Sequence, residues 1–433
     1  METEMIVQLV LLFGLMFLLM FARIPIFMAL VGSVVIFAFF YPGLIPLPVF
    51  TQSLAQGISN DSFLALVFYF LMGEVMNRGG IGDSLFGFLD SAVGWIRGGL
   101  SHANVLESVI FAGVSGSANV DAAAMGSIMI PAMKKQGYPA GYAAAITEVT
   151  CVFGPIIPPS GGLVMLAVYM NCSARSMLVA GLLPGLTMCI AMLGMSYAIS
   201  VKRNFPRTPW QGWKNLGVEF KKSFWALALP AGTIFCLMAG IGTVTEVGAL
   251  SAFFALVISK FAYRHLGIKE MAECFINATI MTARVLCSIA TAGVFTWLIS
   301  YLGVSGAVAD MISNASTSPQ LVLILCVIIL FIAGGPLSVN VLLTVFVPVM
   351  IPTVLAMGID PFHFGIVTML VCQLGSITPP VGNLIYMTSA IAECSTSETN
   401  REALPYLILL LVLIIVWIFV PGVCTFLPNL LFS

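Results

Sequence analysis

Two short segments of this 433-residue chain could hold ions and a polar solute inside an otherwise apolar molecule. The first reads Gly113-Val114-Ser115-Gly116-Ser117-Ala118-Asn119 and the second Gly334-Gly335-Pro336-Leu337-Ser338-Val339-Asn340. Hydroxyls, amides and exposed carbonyls are hard oxygen ligands that suit hard cations, and their lack of formal charge favours a monovalent ion over calcium. Further along, each segment is followed by a run that cannot stay helical: Phe153-Gly154-Pro155-Ile156-Ile157-Pro158-Pro159-Ser160-Gly161-Gly162, then Leu374-Gly375-Ser376-Ile377-Thr378-Pro379-Pro380-Val381-Gly382-Asn383. Proline removes a backbone donor and clashes with the carbonyl one turn back. In lipid each unsatisfied backbone group costs several kcal/mol, so such runs need polar partners or a lined cavity. A single Pro-Gly run would read as a kink that shapes packing. Two of them, each with its own polar segment, read as two halves of one site.

Paired broken helices turn helix N-termini toward an anion, while their unwound carbonyls hold a cation. On that logic Ser117, Asn119, Ser160, Gly161, Asn340, Gly382 and Asn383 are the candidate substrate-binding residues. The candidate ion ligands are Ser115, Ser117, Asn119, Gly154, Pro158, Gly335, Ser338, Asn340, Gly375, Thr378 and Pro379. Two copies imply two ions, expected to be sodium, each between a polar tip and the opposing break. Each sodium moved inward gains about 2.3 kcal/mol per 100 mV of membrane potential.

Other ionisable residues are weaker candidates. Asp121 follows the first tip, and is read first as hydrated at a hairpin opening, with ion or substrate contact as the alternative. Glu74 and Arg78 lie near a helix end where solvation is expected, and Glu148 has only Met369 as its counterpart. Glu246 and Arg284 could pair with each other or with a partner subunit, and neither is assigned as a ligand. Ten scattered cysteines, none in a Cys-x-x-Cys pair, read as apolar packing residues. His102, His265 and His363 offer no ligand spacing, so neither haem nor a transition metal is expected.

The elements that must position these groups are written twice. From Gly113 to Gly334 the offset is 221 residues, and it holds unbroken through Pro184 and Pro405. At that register Ser117 meets Ser338, Asn119 meets Asn340, Gly154 meets Gly375, Pro158-Pro159 meet Pro379-Pro380, and Gly161 meets Gly382. Chance apolar similarity would align Leu with Val, not Pro-Pro with Pro-Pro.

Composition says where the copies sit. Hydrophobic residues make up 60% of the chain and charged residues 8%, against about 25% charged in soluble domains. Apolar stretches near residues 6–21, 24–40, 177–199 and 404–420 are long enough to cross a bilayer. The leading segment carries Glu2 and Glu4 where a signal peptide would be basic, so it reads as a retained helix. Nothing supports nucleic-acid binding.

With the N-terminus outside, all but two of the 17 Lys and Arg residues fall on the cytoplasmic side, the exceptions being Arg175 and Arg284. Helices near 6–21, 24–40 and 62–76 come first, then an amphipathic helix near 81–96, a hairpin at 102–133, a broken helix at 140–170 and a helix at 177–199. A basic linker at 201–223 follows, so the second copy starts inside and every element is inverted: 225–239, 247–261, 276–299, a hairpin at 320–355, a broken helix, and a last helix at 404–420 that leaves the C-terminus outside. The expected fold is an all-α polytopic membrane protein of two inverted-topology repeats with re-entrant hairpins and broken helices.

These motifs resemble the large membrane subunit of the TRAP transporters, the tripartite ATP-independent periplasmic family. The matching stretches are Gly73-Glu74-Val75-Met76, the run from Gly98-Gly99-Leu100 through Ser115-Gly116-Ser117, Gly137-Tyr138, Ile157-Pro158-Pro159-Ser160, Gly181 to Pro184-Gly185, Gly358-Ile359-Asp360-Pro361-Phe362-His363-Phe364-Gly365, and Thr378-Pro379-Pro380-Val381-Gly382. They run nearly the whole chain in family order. The resemblance implies a sodium-driven importer of organic acids in the bacterial inner membrane, with an elevator architecture of the ion-transporter superfamily; the charge count makes both termini periplasmic. It also implies a periplasmic substrate-binding protein and a small four-helix membrane subunit as partners. By the same resemblance, residues 1–98 and 224–316 are scaffold, residues 99–200 and 317–433 are the moving transport halves, and residues 201–223 link them.

Three alternatives stay open on the residues alone: a stand-alone or proton-coupled organic-anion transporter, a channel, and an intramembrane enzyme. The last would need a nucleophile with a base or paired aspartates at depth, and the sequence offers no second aspartate and no histidine at a depth matching Asp121.

Overall fold

The computed structural model describes residues 2–22, 24–43, 45–303, 318–335, 337–378 and 382–432, with the side chains of 2–6, 57, 81, 83, 114, 115 and 383 outside that description. Arg23 and the second proline pair, Pro379-Pro380, therefore lie outside the described residues. All regular structure among the described residues is helical.

The first repeat opens with α1 (Glu2–Phe21), α2 (Ile26–Phe40), α3 (Leu47–Ile58), α4 (Leu64–Arg78) and α5 (Ile81–Val93). The hairpin arms α6 (Gly99–Ser115) and α7 (Ala118–Lys135) follow, then the broken pair α8 (Ala140–Thr150) and α9 (Gly161–Tyr169), then α10 (Ala174–Ala180) and α11 (Leu182–Lys202). In the second repeat come α12 (Gly212–Ala239), α13 (Val244–Val257) and α14 (Ile268–Tyr301). The second hairpin is α15 (Pro319–Gly334) and α16 (Val339–Ala356), and the second broken pair is α17 (Pro361–Ile377) and α18 (Asn383–Ala392). The chain closes with α19 (Thr396–Phe419) and α20 (Gly422–Phe432). At the 221-residue offset α7 and α16 coincide residue for residue, and α8 and α17 begin at the same register.

Six helical stretches among the described residues are long and apolar enough to cross a membrane, or seven if Leu47–Gln56 and Asp61–Arg78, bent by 52°, make one span. Within lipid a helix satisfies its own backbone, so the interior is left to match side chains. In that interior α8 is enclosed by α6, α7, α18 and α19, while α17 packs on α9, α15 and α19, so the broken helices of the two repeats interlock. A buried polar ladder ties α6 to α8: Asn104 Nδ2 donates to Thr147 Oγ1 (2.7 Å), Thr150 Oγ1 donates to Asn104 Oδ1 (3.0 Å), and Ser108 Oγ donates to Thr150 Oγ1 (2.9 Å). Tyr406 on α19 meets both Tyr142 on α8 (3.0 Å) and Ser196 on α11 (2.9 Å) through its hydroxyl. Around this group lie α4, which pairs with α13 and α14, and α5, which pairs with α6 and α12. Tyr69 secures the first of these contacts by donating to the Val244 carbonyl at 2.9 Å.

Three elements depart from the expectation. The first is α3, twelve residues carrying Thr51, Gln52, Ser53 and Gln56, too short and polar to stand out as a span. The second is α12, which begins at Gly212, so most of the supposed linker is helix. Contacts with α5 hold this extension: Asn215 Nδ2 donates to Ser91 Oγ at 3.0 Å and Ser223 Oγ to the Ser84 carbonyl at 2.5 Å. The third is α20, which follows Pro421 and packs against α10, α11 and α17, with the Arg175 guanidinium 4.2 Å from the Phe432 ring centre.

Candidate functional site

Hairpin one turns at Gly116, where φ is +58°, a left-handed conformation that glycine adopts without a Cβ penalty. A Cβ there would also lie 2.5 Å from the Pro159 carbonyl oxygen, so the absence of a side chain lets the tip rest on the break. The break forms because Gly154, Pro155, Pro158 and Pro159 stop the helix begun by α8. It restarts at α9 through Ser160, fully buried, whose Oγ accepts from Leu163 N (3.3 Å) and donates to the Pro155 carbonyl (2.5 Å). Gly154 faces the tip: a Cβ on it would be 3.2 Å from Ser117 backbone atoms and 2.5 Å from Asp121 Oδ2. Asp121 is fully buried against the first break, which corrects its first reading as a hydrated residue at a hairpin opening.

The second repeat repeats this contact. A Cβ on Gly375 would lie 2.6 Å from Gly334 Cα, so the second hairpin rests on the second broken helix. Each tip thus sits on the break of its own repeat. Thr378 ends α17 and donates its hydroxyl to the Leu374 carbonyl at 2.5 Å. Gly382, buried, stands at the N-cap of α18 close to the Ser376 carbonyl. Pro379 and the Asn383 side chain lie outside the described residues, and Ser115 closes α6 with its side chain likewise undescribed.

Between the two tips lies a cavity of about 390 Å³. Ser117 and Asn119 from one tip, Ser338 and Asn340 from the other, and Gly161 all line it. Three helices begin on its wall: α7 after Ser117, α9 after Ser160 and α16 after Ser338. Helix N-termini carry unpaired N–H groups and the positive end of the dipole, so the cavity favours an anion. Among the predicted residues, Gly154, Pro158, Ser160, Gly335, Gly375, Thr378 and Gly382 do not line the cavity.

Sequence reasoning passed over three lining residues: Arg284 on α14, and Gln373 and Ser376 on α17. An arginine midway along an apolar helix was itself a signal, since intramembrane charge is expensive. Glu246 does not pair with it. Its carboxylate accepts from Thr243 N at 2.8 Å in a capping box that starts α13. Glu74 is buried and lies 3.5 Å from Arg78, which also binds Glu273 at 2.7 Å.

A family model described as the DctM component of the tripartite ATP-independent periplasmic transporter matches residues 13–423. The chain belongs to this DctM family. Among DctM relatives, the large permease protein SiaM of the sialic acid TRAP transporter of Vibrio cholerae is 34% identical over 380 residues, covering 88% of this chain and 89% of its own length. The DctM protein of a Rhodobacter capsulatus C4-dicarboxylate TRAP transporter is 30% identical, covering 97% of this chain and 98% of its own. With the sialic acid permease protein SiaT of Haemophilus influenzae the identity is 33% over 381 residues, and this chain spans 62% of SiaT's length. The fold is similar to that of the Alcanivorax borkumensis YdaH transporter, with a TM-score of 0.66 at 14% identity, covering 87% of this chain and 89% of that one. A DctM-family chain with these spans is a multi-pass inner-membrane transport permease.

Proposed function

We propose that the chain is the large membrane subunit of a sodium-coupled importer of an organic acid, receiving its substrate from a periplasmic binding protein and braced by a small four-helix membrane subunit. The observation that carries this reading is the cavity, on which hydroxyl and amide groups from two repeat-related hairpin tips converge with three helix N-termini. Such a wall suits a polyhydroxylated or carbonyl-bearing anion. Relatives are named for sialic acid, C4-dicarboxylates and 2,3-diketo-L-gulonate, all of them organic acids. Sodium, a hard cation, would suit hydroxyls and backbone carbonyls gathered at the tip-on-break contacts. At the first, Ser117, Asn119 and the carbonyls of Gly154 and Pro158 would hold one ion. At the second, Gly335, Ser338, Asn340, Gly375 and Thr378 would hold another. The cavity also touches α4 and α14, so it lies at a seam between the leading helices and the hairpins. An elevator step that slides the hairpins and broken helices past those leading helices would carry the whole site across.

The test is reconstitution of the three components in liposomes, with uptake of labelled N-acetylneuraminate, succinate and 2,3-diketogulonate followed under an inward sodium gradient or with choline in its place. Accumulation of one of these acids only with the sodium gradient is the expected result. Undiminished uptake without sodium would point to proton coupling or a channel.

A further inference from the structure

We infer that Arg284 is the residue that recognises the carboxylate of the transported acid. The inference rests on the organic-acid reading above and deepens it by assigning the charge-reading group. Arg284 lies close to the midpoint of α14, a 34-residue helix (Ile268–Tyr301), and its flanking cavity neighbours Met281 and Val285 are apolar. A guanidinium at such depth is costly unless it is wet or paired. Among the described residues its side chain has no ion pair: the bridges present engage Arg78, Lys134, Arg203 and Lys222. Among the described residues that line the cavity there is no aspartate, no glutamate and no second cation. Among the described residues the cavity therefore carries one formal positive charge, reinforced by three helix N-termini, with no negative charge on its described wall to balance it. A carboxylate entering there completes the balance, and the planar guanidinium fork can take both of its oxygens at once. Arg284 is exposed on the cavity wall, so its charge is free to meet an incoming solute; a neutral sugar would leave that charge without a partner, and a cation would be repelled.

The placement divides recognition between two groups of helices. Ser117, Asn119, Ser338 and Asn340 come from the hairpin tips, whereas Arg284 comes from α14, outside both hairpins. The carboxylate is gripped by both only while the tips face α14 across the cavity.

The experiment measures ligand-induced thermal stabilisation of the purified membrane complex in sodium. Its probes are N-acetylneuraminate, succinate and gluconate, each beside its uncharged amide, with inorganic phosphate and chloride as plain anions. In the wild type at least one acid should raise Tm and its amide should not. In Arg284→Gln the same acid should bind about 10- to 100-fold more weakly, the usual effect of losing a charged hydrogen-bonded partner, and should no longer be preferred over its amide. Arg284→Lys, which keeps the charge and loses the fork, should fall between the two. Because acid and amide are compared within each variant, a change in the variant's own stability does not enter. Amides that stabilise the wild type as well as their acids would overturn the proposal, as would equal stabilisation by phosphate or chloride. An acid-over-amide preference that survives in Arg284→Gln would remove only the role of Arg284. Stabilisation of the wild type by none of the acids would remove the organic-acid reading and the role together.

Discussion

The contact between Gly334 and Gly375 makes a quantitative demand on the fold. A Cβ added at Gly375 would meet three main-chain atoms of Gly334, at 2.6 Å from Cα, 2.7 Å from the carbonyl carbon and 2.9 Å from the oxygen. Ordinary van der Waals contact begins near 3.4 Å, so Gly375→Ala must separate the hairpin from the broken helix by about 0.8 Å, and main chain cannot swing aside as a side-chain end can. Overpacking of this kind costs roughly 1–3 kcal/mol. Alanine's better helix propensity offsets about 1 kcal/mol of that. Gly334→Ala meets its nearest atom at 3.0 Å and should cost less, while Gly194→Ala on α11 has nothing within 4 Å and should be neutral or slightly stabilising. Melting of the purified protein should rank the three variants in that order, with Gly375→Ala lowest by several degrees. Because the second tip would be pushed off its seat, its uptake should also fall further than its stability alone predicts. A Gly375→Ala protein that melts and transports like Gly194→Ala would refute the close approach and the reasoning built on it.

Three further outcomes follow from the packing and the site. Tyr406→Phe strands the Tyr142 and Ser196 hydroxyls in the core, and should lower stability by about 1–3 kcal/mol by thermal melting. Asn104→Leu, nearly the same volume, removes the partner of Thr147 and Thr150 between α6 and α8; a similar loss is expected, and an unchanged melting curve would show the ladder to be idle. Asn119→Ala and Asn340→Ala should each reduce uptake and raise the sodium concentration for half-maximal rate, and loss of transport with unaltered sodium dependence would remove their ion roles.

What the chain states locally is the backbone's list of forbidden conformations. Pro158-Pro159 beside Gly154 cannot continue a helix wherever they sit, and the same residues recur at a constant offset, so the breaks, the tips and the register of α7 with α16 were legible without coordinates. The hydroxyls and amides at Ser117, Asn119, Ser338 and Asn340 were legible for the same reason, because they flank glycines that mark a turn. The facing of a side chain on a long helix is a different kind of fact. Arg284 reads identically in sequence whether it meets lipid, a partner or a cavity. Only the packing of α14 against α2, α3, α4 and the second hairpin's α16, through residues far apart in the chain, places it on the cavity wall. Asp121 is likewise placed by the first break folding back over it. Glu246 was legible locally, because Thr243 and Glu246 are spaced as a capping box at the start of α13. Which tip rests on which break was also a tertiary decision, because two glycines can approach to van der Waals contact only where the packing of every neighbouring helix brings them together.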